Sequence, residues 1–290
     1  MARPHDLAEY RFYRERLTAD GQLRPWGITD LEDFAAGNSG DPFAGRVRDD
    51  RVSSQVPKFA LQLEGTADPS IWIALDPPEL DRWAGVLARM WTRWGTSPAE
   101  TIAFFEYGSS PLVLLASSGY VGYLRRGAAD RLSLTSICND GVAAMANRMV
   151  AIVETLRPSM LILRRDLTMP FAMALEAVGM SLAERVRWIA ISEVEGAISR
   201  AEAAHLSARL AVPVWRILRA DAAFLLAGEC PACRAFHLDR EYLAESLASG
   251  HVAITARFAN ACPAHRFDIG AATLLKGGCA IDPRARRVEC

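Results

Sequence analysis

Apolar and polar residues alternate in blocks along the middle of the chain, in the pattern of strands followed by helices. Apolar runs predict strands at 71–75, 101–107, 132–138, 160–163, 186–191 and 214–218. Helical periodicity predicts helices at 77–94, 140–156, 171–178 and 193–210. Such alternation predicts βαβ units, and therefore an α/β fold in which helices flank mainly parallel strands.

The same pattern divides the chain into three parts. Residues 1–57 read as a polar helical segment followed by a loop rich in Gly, Asp and Ser. Residues 58–223 form the expected α/β core. Residues 224–290 change to short strands and loops, including an alternating run at 251–258.

Composition and charge argue against several functional classes for this chain. The chain carries 33 basic and 34 acidic side chains and is 51% hydrophobic. A near-neutral charge disfavours sequence-independent nucleic-acid binding, and the apolar content excludes a wholly disordered chain. The charged N-terminus lacks the apolar region of a signal peptide, and no apolar run approaches the roughly 18 residues of a membrane span. We therefore expect a cytoplasmic protein with neither nucleic-acid nor membrane partners.

The strongest chemical pattern lies in the last quarter of the chain. Its thiols and imidazole have the spacing of a tetrahedral zinc site with four protein ligands: Cys230, Cys233 and His237, with Cys279 as the fourth and with Cys262 and His265 in reserve. A site closed by four protein side chains is structural rather than catalytic. Two alternatives stay open, namely cysteines with no special role and a redox dithiol in the C-P-A-C sequence.

A second candidate site follows the strand predicted at 101–107. Tyr107, Gly108 and Ser109 come where that strand ends, and open α/β sheets bind ligands at the carboxyl ends of their strands. An ordinary turn is the alternative. The sequence lacks a G-x-x-x-x-G-K-[ST] phosphate loop, a G-x-G-x-x-G fingerprint, H-E-x-x-H and G-x-S-x-G.

The order of several segments resembles the phenylacetate–CoA ligases of the adenylate-forming superfamily. The matching segments, in chain order, are YRFYRERL with ITDLEDFA, LEGTADPSIWIALDPPELDRWAG, TIAFFEYGSSPL, LRPSMLILRRDLTMPFAMALE, ECPACRAFHLD and GHVAITARFANACPAHRFDIGA. The resemblance implies the large domain of an adenylate-forming enzyme. It also implies an aryl or acyl carboxylate ligand, an acyl pocket at Tyr107, Gly108 and Ser109, and ATP with magnesium as co-substrate.

The sequence departs from the family at the residues that contact ATP. Of the family's S-S-G-T-T-G-x-P phosphate loop, Gly65, Thr66 and Pro69 remain, while Glu64 and Asp68 are acidic. Two carboxylates beside a triphosphate would repel it unless a cation intervened. The resemblance thus leaves Gly65 and Thr66 as a remnant of the phosphate loop.

Three further ATP functions are altered. Arg266 and Gly270 match the R-Y-x-x-G-D nucleotide segment, but its ribose-binding aspartate is replaced by Ala271. The glutamate that holds magnesium in the family has no counterpart, because Asp221 is out of register. The lysine of the family's small C-terminal domain is not matched by Lys276, and that domain is expected to be absent.

The metal segment matches better. Cys230, His237 and Cys279 occupy family positions, whereas Ile281 replaces the last cysteine of the family's C-x-C and Cys233 could compensate for it. Two functions follow from the resemblance. The chain is either a carboxylate-adenylating protein that is impaired alone and needs a partner to supply the absent domain, or a catalytically inactive pseudoenzyme that serves as a binding or scaffold protein.

Overall fold

The structure is a computed structural model that describes residues 59–62, 72–119, 124–259 and 265–290. The segment expected to be helical at 1–57 lies outside these ranges, as do Gly65 and Thr66 of the phosphate-loop remnant.

The helices of the described residues are short apart from the first. The α-helices are α1 (Pro77–Arg93), α2 (Pro111–Leu114), α3 (Ala128–Leu132), α4 (Ala146–Leu156), α5 (Thr168–Ala177) and α6 (Arg200–Leu210). Single 3-10 turns lie at Ala143–Met145, Arg165–Leu167 and Asp221–Ala223.

The strands divide into a first set that alternates with helices and a later set that does not. The first set is β1 (Phe59–Gln62), β2 (Trp72–Leu75), β3 (Thr101–Glu106), β4 (Thr135–Asp140), β5 (Met160–Arg164), β6 (Trp188–Ser192), β7 (Glu195–Gly196) and β8 (Val214–Ala220). The later set is β9 (Leu225–Glu229), β10 (Phe236–Leu238), β11 (Tyr242–Ser246), β12 (His251–Ala256), β13 (Phe267–Ala271), β14 (Thr273–Leu275) and β15 (Arg286–Glu289).

Local chemistry explains where α1 begins and ends. The backbone N–H of Asp76 donates to the Glu79 carboxylate at 2.8 Å, and Pro77 opens the first turn, where its missing N–H costs nothing. Gly95 stops the helix in the left-handed region at φ +76°. One face is buried as its 3.6-residue period requires, through Leu80, Trp83, Leu87, Met90 and Trp94.

The described residues form two compact units. One contains most of α1, α2 to α6 and strands β3 to β10, and its strands follow the order β10-β9-β8-β6-β5-β3-β4 with β7 beside β8. The other contains β1 with β2, the antiparallel sheet β11-β12-β13 and the β14–β15 hairpin.

Strands β3, β4, β5, β6 and β8 of the first unit pair in parallel and without a shift of register, whereas β9 and β10 pair antiparallel. β3 pairs with both β4 and β5, β5 with β6, and β6 with β8. Phe105 lies opposite Leu163, and Arg164 opposite Ser192. Because these strands run in one direction, the residues that follow β3, β5 and β6 emerge at the same edge of the sheet.

Both faces of this sheet are covered, so its strands are apolar without alternation. One face carries Phe105, which packs against Phe171 of α5 with ring centroids 5.8 Å apart. The other face carries Phe104, whose ring centroid lies 5.8 Å from that of Trp91 in α1. The α/β fold with mainly parallel strands flanked by helices is therefore confirmed.

Several predicted elements begin later than expected, among them the helix predicted at 140–156, whose α-helical part starts at Ala146 after a 3-10 turn. Leu132 closes α3 and Ser133 adopts φ +56°, so the strand predicted at 132–138 starts at Thr135. The helix predicted at 193–210 starts at Arg200, because the Ser199 hydroxyl caps it by accepting the Glu202 N–H at 3.1 Å.

In the part of the chain that the structure describes, none of the helices has the length and apolar content needed to cross a bilayer.

Candidate functional sites

The first candidate site is the turn between β9 and β10, which presents two thiols. The N–H of Cys230 donates to the carbonyl of Ala235 at 2.8 Å, and the N–H of Arg234 donates to the carbonyl of Cys230 at 2.9 Å. Arg234 adopts the left-handed conformation at φ +60°, which reverses the chain. The antiparallel return along β10 brings His237 beside Cys233, with Sγ and Nε2 3.3 Å apart.

Four side chains meet at this turn. The ligand atoms of Cys230, Cys233, His237 and Cys279 all lie within 4.8 Å of one another, and all but Cys233 are buried. Around a tetrahedral ion with metal–sulfur bonds of about 2.3 Å, ligand atoms are about 3.8 Å apart, so a small contraction would complete the site. Three thiols and one imidazole form a donor set for a soft, tetrahedral metal ion. The cluster could therefore hold a metal.

A buried charge pair lies directly behind the turn. Glu229, the residue before Cys230, is fully buried; its Oε2 accepts the backbone N–H of Arg216 at 3.2 Å, and its Oε1 lies 3.3 Å from Arg216 Nε. Arg234 Nε contacts the same carboxylate oxygen at 3.0 Å. Burial lowers the pKa of Arg216, against the opposing effect of Glu229. The Arg216 Nη2 also donates to the Arg234 carbonyl at 3.3 Å, which ties β8 to the turn.

The second candidate site is a cavity of about 560 Å³ at the carboxyl ends of three parallel strands. Tyr107 follows β3, Asp166 follows β5, and Val194 follows β6. The remaining lining residues are Arg164, Arg165, Thr168, Met169, Glu193 and Glu202. This is the place where open α/β sheets bind ligands.

Arg164 is the buried charge of this cavity, with 4% of its surface exposed. Its guanidinium stacks on the ring of Tyr107 at 3.4 Å, donates to the carbonyl of Gly141 at 3.2 Å and pairs with Asp166 at 2.5 Å and 2.8 Å. Its Nη1 is buried and has no hydrogen-bond acceptor among the described residues. Burial acts to lower the pKa of Arg164, but the combined effects of Asp166, Tyr107 and Glu106 outweigh it, so the pKa is raised and the side chain stays charged.

The rim of the cavity is an ion-pair network. Arg165 donates to Glu193 at 2.9 Å and to Glu202 at 2.8 Å, which links the loop after β5 to the loop after β6 and to α6. These two carboxylates raise the pKa of Arg165. Since Arg165 is about half exposed, the network orders the rim more than it stabilises the fold.

A further buried carboxylate lies at the end of β3. The Glu106 side chain is almost fully buried and accepts a hydrogen bond from the Ser192 hydroxyl at the end of β6. Arg219 Nη1 in β8 lies 3.9 Å from Glu106 Oε2. The polar ends of β3, β6 and β8 are thus joined beneath the surface of the sheet edge.

The predicted acyl-pocket residues divide between cavity and turn. Tyr107, 43% exposed, lines the cavity. Gly108 and Ser109 are exposed and are not among the residues that line it; they form the turn that returns the chain, in which the Ser110 N–H donates to the Tyr107 carbonyl at 3.0 Å. The turn predicted after β3 therefore contributes one side chain to the cavity.

The nucleotide-segment residues lie at the start and end of β13. Arg266 adopts φ +53° and contacts Glu245, with Nε and Oε2 3.4 Å apart. Gly270 adopts φ +84° and donates its N–H to Asp268 at 2.8 Å. The nearby Asp268 is itself paired with His251 at 2.9 Å.

The reserve metal ligands separate from the cluster. Cys262 lies outside the described residues, and His265 does not belong to the group formed by the four predicted ligands. Asp221, the out-of-register substitute for the magnesium-binding glutamate, is 2% exposed in the 3-10 turn after β8.

Most charged residues of the cavity, and the buried pair behind the turn between β9 and β10, were not predicted from the sequence. Arg164, Asp166 and Glu193 carry a usable signal, because each lies within three residues of the end of an apolar run that predicts a strand. Arg216 and Glu229 carry none, since a charged residue inside a short apolar run does not reveal its partner.

Comparison with solved structures shows the fold. The chain superimposes over 98% of its length on crystal structures of 2-hydroxyisobutyryl-CoA ligase, with TM-scores of 0.77 for a complex with 2-HIB-AMP and CoA and 0.74 for an open conformation. Sequence identity is 14% and 12%, and the chain spans 64% and 70% of those two chains. No protein-family model and no curated protein sequence matches the chain. The expected large-domain fold of an adenylate-forming enzyme is confirmed.

Replacing Arg216 with alanine is expected to lower the free energy of unfolding by about 3–5 kcal/mol, because the Glu229 carboxylate would stay buried without its buried partner. Chemical denaturation measures this change. Arg209→Ala is the matched control, since Arg209 pairs with Glu176 at the surface and its loss should have a much smaller effect. Equal effects of the two substitutions would contradict the structural role assigned to the buried pair.

Proposed function

We propose that this chain binds an acyl or aryl carboxylate in the cavity at the carboxyl ends of β3, β5 and β6, and that it does not adenylate this ligand by itself. The observation that carries the proposal is Arg164, a buried and charged guanidinium in that cavity whose Nη1 has no acceptor among the described residues. A buried donor left without an acceptor is costly, and a ligand carboxylate would supply one.

The charges around Arg164 favour local recognition over long-range attraction. Two arginines and three carboxylates line the cavity, and the rim residue Arg165 already pairs with Glu193 and Glu202. The nearly balanced lining gives little steering of an anion from a distance. The ligand carboxylate is instead held by the guanidinium of Arg164, with the acyl or aryl part against Tyr107 and Met169.

The positions expected to serve ATP support a chain that does not catalyse adenylation. The resemblance puts Ala271 where the family has its ribose-binding aspartate. Asp221, nearest to the family's magnesium-binding glutamate, is buried in a turn whose other residues, Ala222 and Ala223, have no ligand atoms in their side chains. Loss of a single electrostatic stabiliser of a transition state slows an enzyme by roughly 100- to 1000-fold, and two positions are altered here.

We also propose that the metal held by Cys230, Cys233, His237 and Cys279 is a structural zinc ion. Three thiolates and one imidazole leave no open position for water or substrate, as in structural rather than catalytic zinc sites. When bound, zinc would stabilise the turn between β9 and β10 without taking part in chemistry. The buried Glu229–Arg216 pair holds the first part of this site in place.

The purified protein is expected to contain about one zinc ion per chain, and Cys230→Ser should release it, because metal binding and local folding are coupled. Elemental analysis gives the metal content, and thermal unfolding with and without a chelator gives the stability. Cys138→Ser, outside the cluster, serves as the control and should keep the ion. Zinc-free protein prepared without chelators would contradict this assignment.

A carboxylate such as phenylacetate or butyrate is expected to bind the purified protein, and Met169→Trp should weaken binding at least about tenfold by filling the cavity. Isothermal titration calorimetry measures the affinity. Met173→Trp is the matched control, because it adds the same side chain to the same helix at a position that is 60% exposed and outside the cavity lining.

A carboxylate that binds the Met169→Trp and Met173→Trp variants with equal affinity would exclude this cavity as its binding site. If neither acid binds the unaltered protein at millimolar concentration, the carboxylate proposal fails, whatever the zinc content.

The pure protein is expected to give no carboxylate-dependent ATP–pyrophosphate exchange, because its ribose and magnesium positions lack the required side chains. A radiolabelled pyrophosphate assay tests this directly. Exchange by the pure protein that Thr66→Ala abolishes would overturn the prediction. Exchange that appears only after a second protein is added would favour partner-assisted adenylation over a pseudoenzyme.

A further inference from the structure

A third cavity, apart from both sites above, is lined almost entirely by arginine. It has a volume of about 320 Å³ and is lined by Arg82, Arg240, Glu241 and Arg257. All four residues belong to one compact unit of the chain. Arg82 lies on α1, Arg240 and Glu241 precede β11, and Arg257 follows β12.

Strand pairing brings three of these residues together. β11 and β12 are antiparallel, with Tyr242 opposite Ala256, so Glu241 and Arg257 are the next pair along. The Arg257 N–H donates to the Glu241 carbonyl at 2.8 Å, which continues the pairing by one residue. The backbone of this corner is fixed further by the Glu241 N–H, which donates to the Asp239 carboxylate at 3.1 Å.

The three guanidinium groups have no ion pair or side-chain hydrogen bond with any residue in the described ranges. Some exposed arginines, such as Arg165, Arg187 and Arg209, pair with carboxylates, whereas these three line one cavity without such a partner. Three positive charges and the single negative charge of Glu241 leave a formal charge of +2 around a small cavity. Like charges so arranged repel one another, and a bound anion would relieve that repulsion.

We propose that this cavity binds the phosphate or diphosphate group of a ligand. A guanidinium offers a planar fork of donors that matches the oxygens of a phosphate, and three forks can bind more oxygens than one carboxylate provides. A doubly charged phosphate also balances the formal charge of the lining. The volume accommodates a diphosphate as well as a single phosphate.

The proposal predicts that Glu241 and the three arginines affect phosphate affinity in opposite directions. Its carboxylate lines the cavity, so it repels any phosphate bound there. Removing that one charge should tighten phosphate binding, whereas removing any of the three arginines should weaken it. A general attraction between the protein surface and an anion would not distinguish these positions from charges elsewhere.

The test is isothermal titration with inorganic pyrophosphate and with inorganic phosphate on the full chain. The double variant Arg240→Gln/Arg257→Gln should weaken pyrophosphate binding at least about tenfold. Arg284→Gln/Arg286→Gln is the matched control, since it removes the same charge from exposed positions outside the cavity. Raising the salt from about 0.01 M to 0.1 M shortens the Debye length from about 30 Å to about 10 Å and should weaken binding to the unaltered chain.

Glu241→Gln should tighten pyrophosphate binding several-fold, while Glu184→Gln, at an exposed position away from the cavity, should leave it unchanged. Thermal unfolding of each variant checks that the fold is kept. The proposal is overturned if pyrophosphate does not bind, or if the control and cavity variants lose affinity alike. Met169→Trp should not alter this binding, so the result is independent of the carboxylate cavity.

Discussion

The unshifted parallel pairing of β3, β5 and β6 is the constraint on which the sheet-edge cavity depends. Because both faces of these strands are covered, the side chains between the first and the last residue of each strand are apolar. The polar residues that follow then emerge together at one edge, which assembles Tyr107, Arg164 and Glu193 from distant parts of the chain. A shift of one residue in any pair would turn the side chains of a strand to the opposite face and separate this set.

Buried charge is the second constraint. Two buried carboxylates, Glu106 and Glu229, each have nearby arginine partners. Glu106 accepts a hydrogen bond from Ser192 with Arg219 nearby, and Glu229 contacts Arg216 and Arg234. A buried carboxylate is tolerated only when it is paired and hydrogen-bonded. The Glu106 group connects β3, β6 and β8, which are not consecutive along the chain, whereas the Glu229 pair connects the neighbouring strands β8 and β9. One pair supports the sheet edge and the other supports the turn between β9 and β10.

Arginine serves three different purposes in this chain, which has lysine at only two positions, Lys58 and Lys276. Buried arginines such as Arg216 partner internal carboxylates, and rim arginines such as Arg165 connect loops. The arginines around the third cavity do neither, since they have no carboxylate partner among the described residues. The planar guanidinium suits all three uses because it stays charged and offers several donors in fixed directions.

The sequence by itself determined the alternation of strands and helices, the α/β fold, the start of α1 near residue 77 and the set of four thiol and imidazole side chains that cluster in the structure. Periodicity, capping and cysteine spacing are local properties, so they can be read along the chain. The sequence did not reveal the partners of Glu229 or Arg164. It also did not reveal that Arg82 lines the same cavity as Arg257, because the two residues are far apart along the chain. Only the tertiary structure, through strand order and register, decided which of the many charged residues face one another.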